Sequence, residues 1–296
     1  MKLMNIFSFL LSAIFLSACG SGGSGSGTTN DGSFSLAVTD GPVDSAQEVW
    51  VQFDGVHIKP AEGEEITFEF EARGIDLLAL QGDASDSLLS DETIPSGEYE
   101  WIRLSVSAEL DTVFDSFIVL SDGTREELFI PSGGETGLKL VSGFTVAAGG
   151  AADFTIDFEL RKSVTNPPGQ DGVILRPALR LVDNQTVGTL RGSIASSLIT
   201  QACENATLND GAIYLYTGSV ETASDMSGSE SDPLTTALVN NEFQYEIGFL
   251  EEGEYTGAYT CDNEIDDPAM EDTLDFFALT DGITITADQE TVVDFQ

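Results

Sequence analysis

The chain is poor in the side chains that most often carry chemistry. It has one histidine, His57, and only three cysteines in 296 residues. A Ser-His-Asp triad would have to use His57, which lies in a strand-like segment with no nucleophile motif nearby. A structural zinc site needs about four His or Cys ligands, and the chain cannot supply them. We therefore expect a structural or surface role for His57, and neither a triad nor a zinc centre.

Positive charge is scarce as well. The chain has 11 Lys and Arg against 51 Asp and Glu, which gives a formal net charge of −40. Binding to nucleic acids needs clustered cations that displace counterions from phosphates. Glycine-rich phosphate-binding patterns are also missing outside one linker. We expect no nucleic-acid and no nucleotide partner. Such acidity is typical of a soluble protein in salty surroundings, where ions screen self-repulsion.

The apolar run near the start of the chain is short. It extends from Ile6 to Leu16, whereas a helix that crosses a bilayer needs roughly 20 apolar residues. Lys2 precedes the run and small residues follow it, which is the pattern of a secretory signal. We therefore assign residues 1–18 to a signal peptide.

The end of this signal resembles that of bacterial lipoproteins. Leu16-Ser17-Ala18-Cys19 has a leucine and two small residues before a cysteine. The resemblance implies cleavage before Cys19, which would then carry a diacylglycerol and a further acyl chain such as palmitate. Several acyl chains together make a stable anchor. Gly20 in the next position implies the outer membrane of a Gram-negative bacterium, without specifying the exposed face. The alternative is an ordinary signal followed by an incidental cysteine.

Residues 19–32 form the next segment, the cysteine followed by Gly, Ser, Thr, Asn and Asp. Such a composition is typical of a flexible coil, with a mean reach of roughly 20 Å at this length. We expect it to hold the folded part away from the membrane.

The remaining cysteines, Cys203 and Cys261, form an even pair. An exported protein meets an oxidising compartment, so we expect a disulfide between them. The alternative is two reduced, buried thiols.

Alternating, β-branched and aromatic runs fill the rest of the chain and predict an all-β fold. We expect about ten strands before Asp183, which is typical of a sandwich or barrel. Gly55 predicts a bulge or a break in its strand, and Ser121-Asp122-Gly123-Thr124 predicts a hairpin. Ile75–Leu80 fits either a strand or a helical turn. The polar segment from Asp83 to Glu92 fits a short helix or a loop.

Residues 33–183 contain three segments that resemble a family of bacterial lipoprotein domains, domain of unknown function 4382. The segments are Phe34 to Asp44, Ile94 to Leu104 and Ile174 to Arg180. The resemblance implies an immunoglobulin-like or transthyretin-like β-sandwich. It carries over no activity and no catalytic residues.

Residues 187–296 resemble the carboxypeptidase regulatory-like, transthyretin-type sandwich. They have a Gly-rich first strand, a strand that begins with Gly253-Glu254-Tyr255, and a last strand that ends in Val293-Asp294-Phe295. The resemblance implies a non-catalytic spacer or binding domain. Gly97-Glu98-Tyr99 occupies a similar place in the first domain, so the two domains fit a divergent repeat.

Two acidic segments are candidate calcium sites, because hard oxygen ligands suit Ca²⁺. The run from Asp262 to Asp272 is dense in acids, although it lacks the spacing of an EF-hand. The alternative for this run is a solvated acidic loop. The candidate ligands are Asp262, Glu264, Asp266 and Asp267 in the run, and Asp40 with Asp44 in an earlier turn.

We expect mainly structural roles for the basic and aromatic side chains on the strands. We expect Arg103, Arg176 and Arg180 to pair with carboxylates at sheet edges. Aromatic residues on strands are usually core, although they could also form a sugar-stacking platform. The aromatic residues concerned are Trp50, Trp101, Tyr214, Tyr216, Tyr255 and Tyr259.

Together these features predict two β-sandwich domains on a lipid anchor in the cell envelope. The expected function is a non-catalytic binding or adhesion-type module for a protein or glycan ligand. One alternative is a purely structural envelope protein stabilised by calcium. Another is a glycan-active hydrolase, which needs two carboxylates in a cleft. With 51 acids in the chain, the presence of such a pair carries little information.

Overall fold

A computed structural model describes residues 30–41, 46–131, 137–165, 172–176, 178–203 and 211–296. The fold is all-β, and 56% of the described residues lie in strands and 7% in helices. Among the described residues, no helix combines the length and apolar character that a membrane span requires. Cys19 and Asp44 lie outside the described residues.

The strands up to Asp183 form two sheets. Their bounds are β1 (Asp31–Asp40), β2 (Ala46–Pro60), β3 (Ile66–Asp76), β4 (Asp86–Pro95), β5 (Gly97–Ser107), β6 (Phe117–Leu120), β7 (Arg125–Phe129), β8 (Leu138–Leu140), β9 (Phe144–Val146), β10 (Ala151–Phe158), β11 (Val164–Thr165), β12 (Val173–Leu175) and β13 (Leu179–Asp183). A short helix, α1 (Leu160–Ser163), follows β10.

These two sheets pack face to face around one hydrophobic core. The smaller sheet has the order β13-β10-β1-β4, and β1 and β10 run parallel. The larger sheet has nine strands, with β2 paired to β3, β5 and β6. Alternate residues of β1 are buried against those of β2. Phe53 of the larger sheet meets Phe158 of the smaller one with ring centroids 6.3 Å apart. The first domain is therefore a β-sandwich.

Two local predictions for this domain are confirmed. The pairing of β2 shifts register between Phe53 and Gly55 with both β3 and β5, which is the expected bulge. A hairpin joins β6 and β7 through Asp122-Gly123, with Gly123 at a φ of 83°. Glycine suits this left-handed conformation because it has no Cβ.

The segment from Asp83 to Glu92 is not the helix or loop that its polarity predicted. Most of it belongs to β4, which pairs antiparallel with β1. β4 is an edge strand, so its polar residues face solvent while Leu88, Leu89 and Ile94 reach the core. Ile75–Leu80 divides between the end of β3 and a 3₁₀ turn over Leu77–Leu80. Among the described residues, thirteen strands precede Asn184, more than the roughly ten expected, because several are only two or three residues long.

The strands after Asn184 form two further sheets, with orders β17-β14-β20 and β16-β15-β18-β19. A second core lies between them. The bounds are β14 (Val187–Ser193), α2 (Ser196–Ala202), β15 (Ala212–Thr217), β16 (Thr235–Leu238), β17 (Gln244–Glu251), β18 (Gly253–Thr260), β19 (Phe276–Ile285) and β20 (Glu290–Val292). The expected disulfide joins Cys203, after α2, to Cys261, after β18.

The two Gly-Glu-Tyr segments have the same local structure. Gly97 begins β5 and Gly253 begins β18. Tyr99 and Tyr255 are both buried. Each tyrosine hydroxyl donates to a carbonyl four residues upstream, at 2.7 Å to Pro95 and 2.8 Å to Glu251. The arrangement resembles the tyrosine corner of immunoglobulin-like sandwiches.

Candidate functional site

The two domains meet through a buried polar contact centred on Arg161. This residue lies on α1 of the first domain and is 6% exposed. Its Nη1 donates to the Tyr214 hydroxyl at 2.7 Å and to Asp266 Oδ2 at 3.1 Å, both in the second domain. The Tyr214 hydroxyl also donates to Asp266 Oδ2, at 2.6 Å. Burial raises the pKa of Asp266, and the bonds from Tyr214 and Arg161 oppose that rise.

Asp266 also belongs to a group of three carboxylates, which we call the acidic triad: Asp225, Asp266 and Asp272. One oxygen from each lies within 4.8 Å of the others. Asp266 Oδ1 additionally accepts from the backbone N–H of Met226, at 3.2 Å. Hard cations bind such oxygen clusters, although Arg161 already compensates part of the triad's charge.

The structure brings only one of the four predicted calcium ligands of the 262–272 run into this triad. Asp262 accepts from the backbone N–H of Asp275, and Asp267 accepts from that of Ala269. Glu264 is exposed on a 3₁₀ turn. Sequence reasoning missed Asp225 because it lies about 40 residues away, in a Ser/Asp/Glu loop. Only the shared acidity of the two loops could have indicated that they meet.

A cleft of about 590 Å³ lies between the two domains. The first domain contributes residues at the end of β1 and directly after the 3₁₀ turn, and the second contributes β14, β16 and β17. The two backbones approach closely, because a Cβ at Gly248 would clash with the carbonyl oxygen of Gly82. The carboxylates along the cleft belong to Asp40, Asp83, Asp157, Glu246 and Asp294.

Arg191 supplies the positive charge of the described cleft residues, and it is already surrounded by acids. Its guanidinium lies 2.9 Å from Asp83, 3.0 Å from Glu246 and 2.9 Å from Glu290. Since three carboxylates compensate one cation, the walls keep a negative charge. The cleft therefore suits a positively charged ligand.

Asp40, predicted as a calcium ligand, lies at this junction and is 5% exposed. Neither of its carboxylate oxygens accepts a well-formed hydrogen bond among the described residues, although the backbone N–H groups of Leu160 and Gly41 approach it and partly lower its pKa. Burial raises the pKa of Asp40 well above its usual range, and the charges of Asp157 and Glu159 add to that rise. Burial also raises the pKa of Glu159, to about 8. The acids that the structure places near Asp40 are therefore on β10 and directly after it.

His57 has structural contacts on the larger sheet. Its Nε2 lies 2.9 Å from the Ser105 hydroxyl, and its Nδ1 lies 2.6 Å from Glu65. Arg103 joins the same carboxylate at 2.6 Å. These contacts indicate that His57 helps to hold neighbouring strands together.

Most of the other predicted basic residues form ion pairs, and most of the predicted aromatic residues lie in the core. Arg180 pairs with Asp157 at 2.7 Å, as Arg103 does with Glu65, whereas Arg176 is exposed. Trp50 stacks on Phe117, and Trp101 lies under the Lys139 ammonium at 4.1 Å. The four tyrosines that could have formed a sugar platform are buried: Tyr214, Tyr216, Tyr255 and Tyr259.

Solved structures to which this chain is similar share little sequence with it. The Bacillus anthracis TIE protein is 10% identical, with 90% of this chain and 33% of that chain covered at a TM-score of 0.23. This chain thus spans about a third of that protein's length. GBS52, the minor pilin of the gram-positive pathogen Streptococcus agalactiae, is 11% identical, with 88% and 94% covered at a TM-score of 0.22. Similarity at this level carries no functional argument.

No curated protein matches the chain. A family model, described as Domain of unknown function (DUF4382), matches residues 31–177. The match covers β1 to β12 of the first domain, and it confirms the resemblance predicted there. The lipid anchor and the carboxypeptidase regulatory-like second domain stay predictions. Residues 31–177 of this chain are therefore a DUF4382 domain.

Proposed function

We propose that this protein is a non-catalytic lipoprotein of the Gram-negative envelope that binds a positively charged protein or glycan segment as an adhesion-type module. The observation that carries the proposal is the acidic interdomain cleft of about 590 Å³. Ligand sites in proteins have volumes of roughly 300–1,000 Å³ and often lie between domains.

The contacts at the domain junction support a preformed cleft. Arg161, Tyr214 and Asp266 hold the domains together from the interior, and Arg191 holds Asp83 to Glu246 across the cleft. A site that is already ordered loses less conformational entropy when it binds its ligand. Negative walls would also speed the encounter with a cationic segment.

Binding is tested with the mature chain carrying Cys19→Ser, which removes the lipid and keeps the protein in solution. Biolayer interferometry measures its affinity for hexalysine, with hexaglutamate as the probe of opposite charge. Replacing Asp83 and Glu246 by Asn and Gln should weaken hexalysine binding about tenfold, which corresponds to about 1.4 kcal/mol. A glycan array then identifies sugars that compete with hexalysine for the cleft.

The matched control carries Glu62→Gln and Glu64→Gln, the same change in charge on an exposed loop that does not line the cleft. It should bind hexalysine as the parent does. Equal weakening in both variants would mean that general acidity, and not the cleft, holds the probe, and the proposal would fail.

The anchor is tested separately in cells. Metabolic labelling with palmitate should label the full chain and not the Cys19→Ser variant. Label that persists in the variant would contradict lipidation at this residue.

A second candidate function is a structural envelope protein whose fold calcium maintains. The acidic triad favours it, because Asp225 and Asp272 bring two further carboxylates to Asp266. Under this hypothesis, calcium raises the melting temperature of the parent protein, and Asp225→Asn abolishes that rise. The parent protein also does not bind hexalysine. A ligand that binds only the folded state stabilises it by mass action.

A further inference from the structure

Two carboxylates leave neighbouring strands at the same edge of the smaller sheet in the first domain. Asp40 is the last residue of β1 and lies beside Phe158 of the parallel strand β10. Glu159 directly follows Phe158. Because parallel strands end at the same edge of a sheet, Asp40 and Glu159 both lie at this edge. Burial raises the pKa of Asp40, and the negative charges of Asp157 and then Glu159 add to that rise.

The second domain brings a hydroxyl to this edge. A Cβ added at Gly41 would lie 3.4 Å from Thr235 Oγ1 and 3.6 Å from Glu159 Oε1. Thr235 Oγ1 belongs to the second domain and Glu159 Oε1 to the first. Because both oxygens lie close to that one Cβ position, they are within about 7 Å of each other. We call Asp40, Glu159 and Thr235 the junction site.

The carboxylates of the junction site are buried and lack well-formed hydrogen bonds. Both oxygens of Asp40 and Oε1 of Glu159 accept no well-formed hydrogen bond among the described residues. The two cations that lower the pKa of Glu159 already form ion pairs with other acids. Arg180 lies 2.7 Å from Asp157, and Lys162 lies 3.5 Å from Asp232. A buried carboxylate without a partner is costly, so the folded protein needs something to compensate it.

A proton would remove the charge and leave most of the acceptor lone pairs without donors. A cation satisfies the charge and the lone pairs together. The oxygens of the junction site are hard ligands, and neither nitrogen nor sulfur is among them. Ca²⁺ takes 6–8 such oxygens at about 2.3–2.6 Å, and backbone carbonyls and waters commonly complete its shell.

We propose that Asp40, Glu159 and the Thr235 hydroxyl bind a hard divalent cation of the Ca²⁺ class at the junction of the two domains. The cation joins the end of β1 and β10 to β16, so it fixes the first domain against the second. Asp40 and Thr235 also line the interdomain cleft, so the cation would lie at the wall of the cleft and away from the acidic triad.

Isothermal titration calorimetry with CaCl₂ and with MgCl₂ tests the proposal on the mature chain carrying Cys19→Ser. The protein is first freed of metal with a chelator and held at pH 8.5, above the pKa of about 8 of Glu159. Asp40→Asn keeps the shape of the side chain and removes its charge, so the variant should fold in the chelator. Far-UV circular dichroism checks that fold, and Glu159→Gln replaces the variant if it fails.

Asp272→Asn is the matched control, because it makes the same change in the acidic triad. We expect the parent protein and Asp272→Asn to bind Ca²⁺ with dissociation constants within about twofold of each other, and Asp40→Asn to bind at least about tenfold more weakly. Calcium should raise the melting temperature in the same pattern.

Any other pattern overturns the proposal. If the parent protein binds neither Ca²⁺ nor Mg²⁺, the junction site is not a metal site. Loss in Asp272→Asn with retention in Asp40→Asn assigns the cation to the triad. Equal loss in both variants shows an effect that is not local to either site. Hexalysine binding by the parent, measured in chelator, reports separately on the proposed function.

Discussion

Asp232 shows at the scale of one residue how an acid can order a loop. Its Oδ1 accepts from the backbone N–H groups of Ser227 at 3.1 Å and Ser229 at 2.9 Å, and its Oδ2 accepts from Gly228 at 3.0 Å. Burial raises the pKa of Asp232, but these N–H groups outweigh burial and lower the pKa below its usual value. The ionised carboxylate is therefore the form that the folded loop binds best.

Asp232→Asn should lower the free energy of unfolding by about 2 kcal/mol at pH 7, the scale of hydrogen bonds to a charged group. A carboxylate with a depressed folded pKa stabilises the protein above its unfolded pKa, and this contribution is lost as the pH falls through the folded pKa. The difference between parent and variant should therefore shrink toward pH 3. Urea unfolding at pH 7 and pH 3 measures it.

Glu230→Gln is the control, since Glu230 is exposed in the same loop. It should change stability little at either pH. A difference between the parent and Asp232→Asn that stays constant with pH would contradict the role of the carboxylate charge.

At the scale of elements, the paired tyrosines fix where β5 and β18 begin. Tyr99→Phe and Tyr255→Phe each remove one hydrogen bond to a carbonyl, at Pro95 and Glu251. Each variant should lose about 1 kcal/mol of stability. Hydrogen exchange should show loss of protection at the start of β5 in the first variant and of β18 in the second. Loss that spreads over both domains in either variant would refute a local role.

The disulfide is the second element-scale feature, because it ties the end of α2 to the end of β18. Its cysteines are 58 residues apart, and closing a loop of that length stabilises by roughly 4 kcal/mol in the chain-entropy model. Replacing both cysteines by serine should lower the second domain's free energy of unfolding by about this amount. Hydrogen exchange in β15 and β18 measures the loss, and exchange in β1 and β10 should stay unchanged.

At the scale of the whole molecule, the Arg161 contact decides whether the domains unfold together. Removing one partner of a buried ion pair typically costs about 3–5 kcal/mol, because the other charge stays buried alone. Arg161→Met should therefore destabilise the protein by this amount and separate calorimetric unfolding into two transitions.

The double variant Arg161→Met with Asp266→Asn supplies the control, since it removes both charges. It should recover part of the stability that Arg161→Met loses. A double variant that loses the sum of both single effects would show that the two residues act independently.

Much of the local structure could be predicted from the sequence, because it depends on neighbouring residues. Asp122-Gly123 predicted a turn, and alternation along β1 and β2 predicted one buried face. β4 was missed because an edge strand needs few apolar residues. From the sequence alone, the three buried apolar residues of β4 could not be distinguished from apolar residues in a polar loop.

The sequence by itself determined the all-β class, the DUF4382 resemblance of the first domain and the pairing of Cys203 with Cys261. These features follow from patterns within single strands or from a count of two available thiols. Only the tertiary structure decided which acids meet. Asp225 joins Asp266 because two loops of one sheet converge, and Asp40 joins Glu159 because β1 and β10 are parallel neighbours. With 51 acids in the chain, composition leaves every such pairing open, and strand order selects among them.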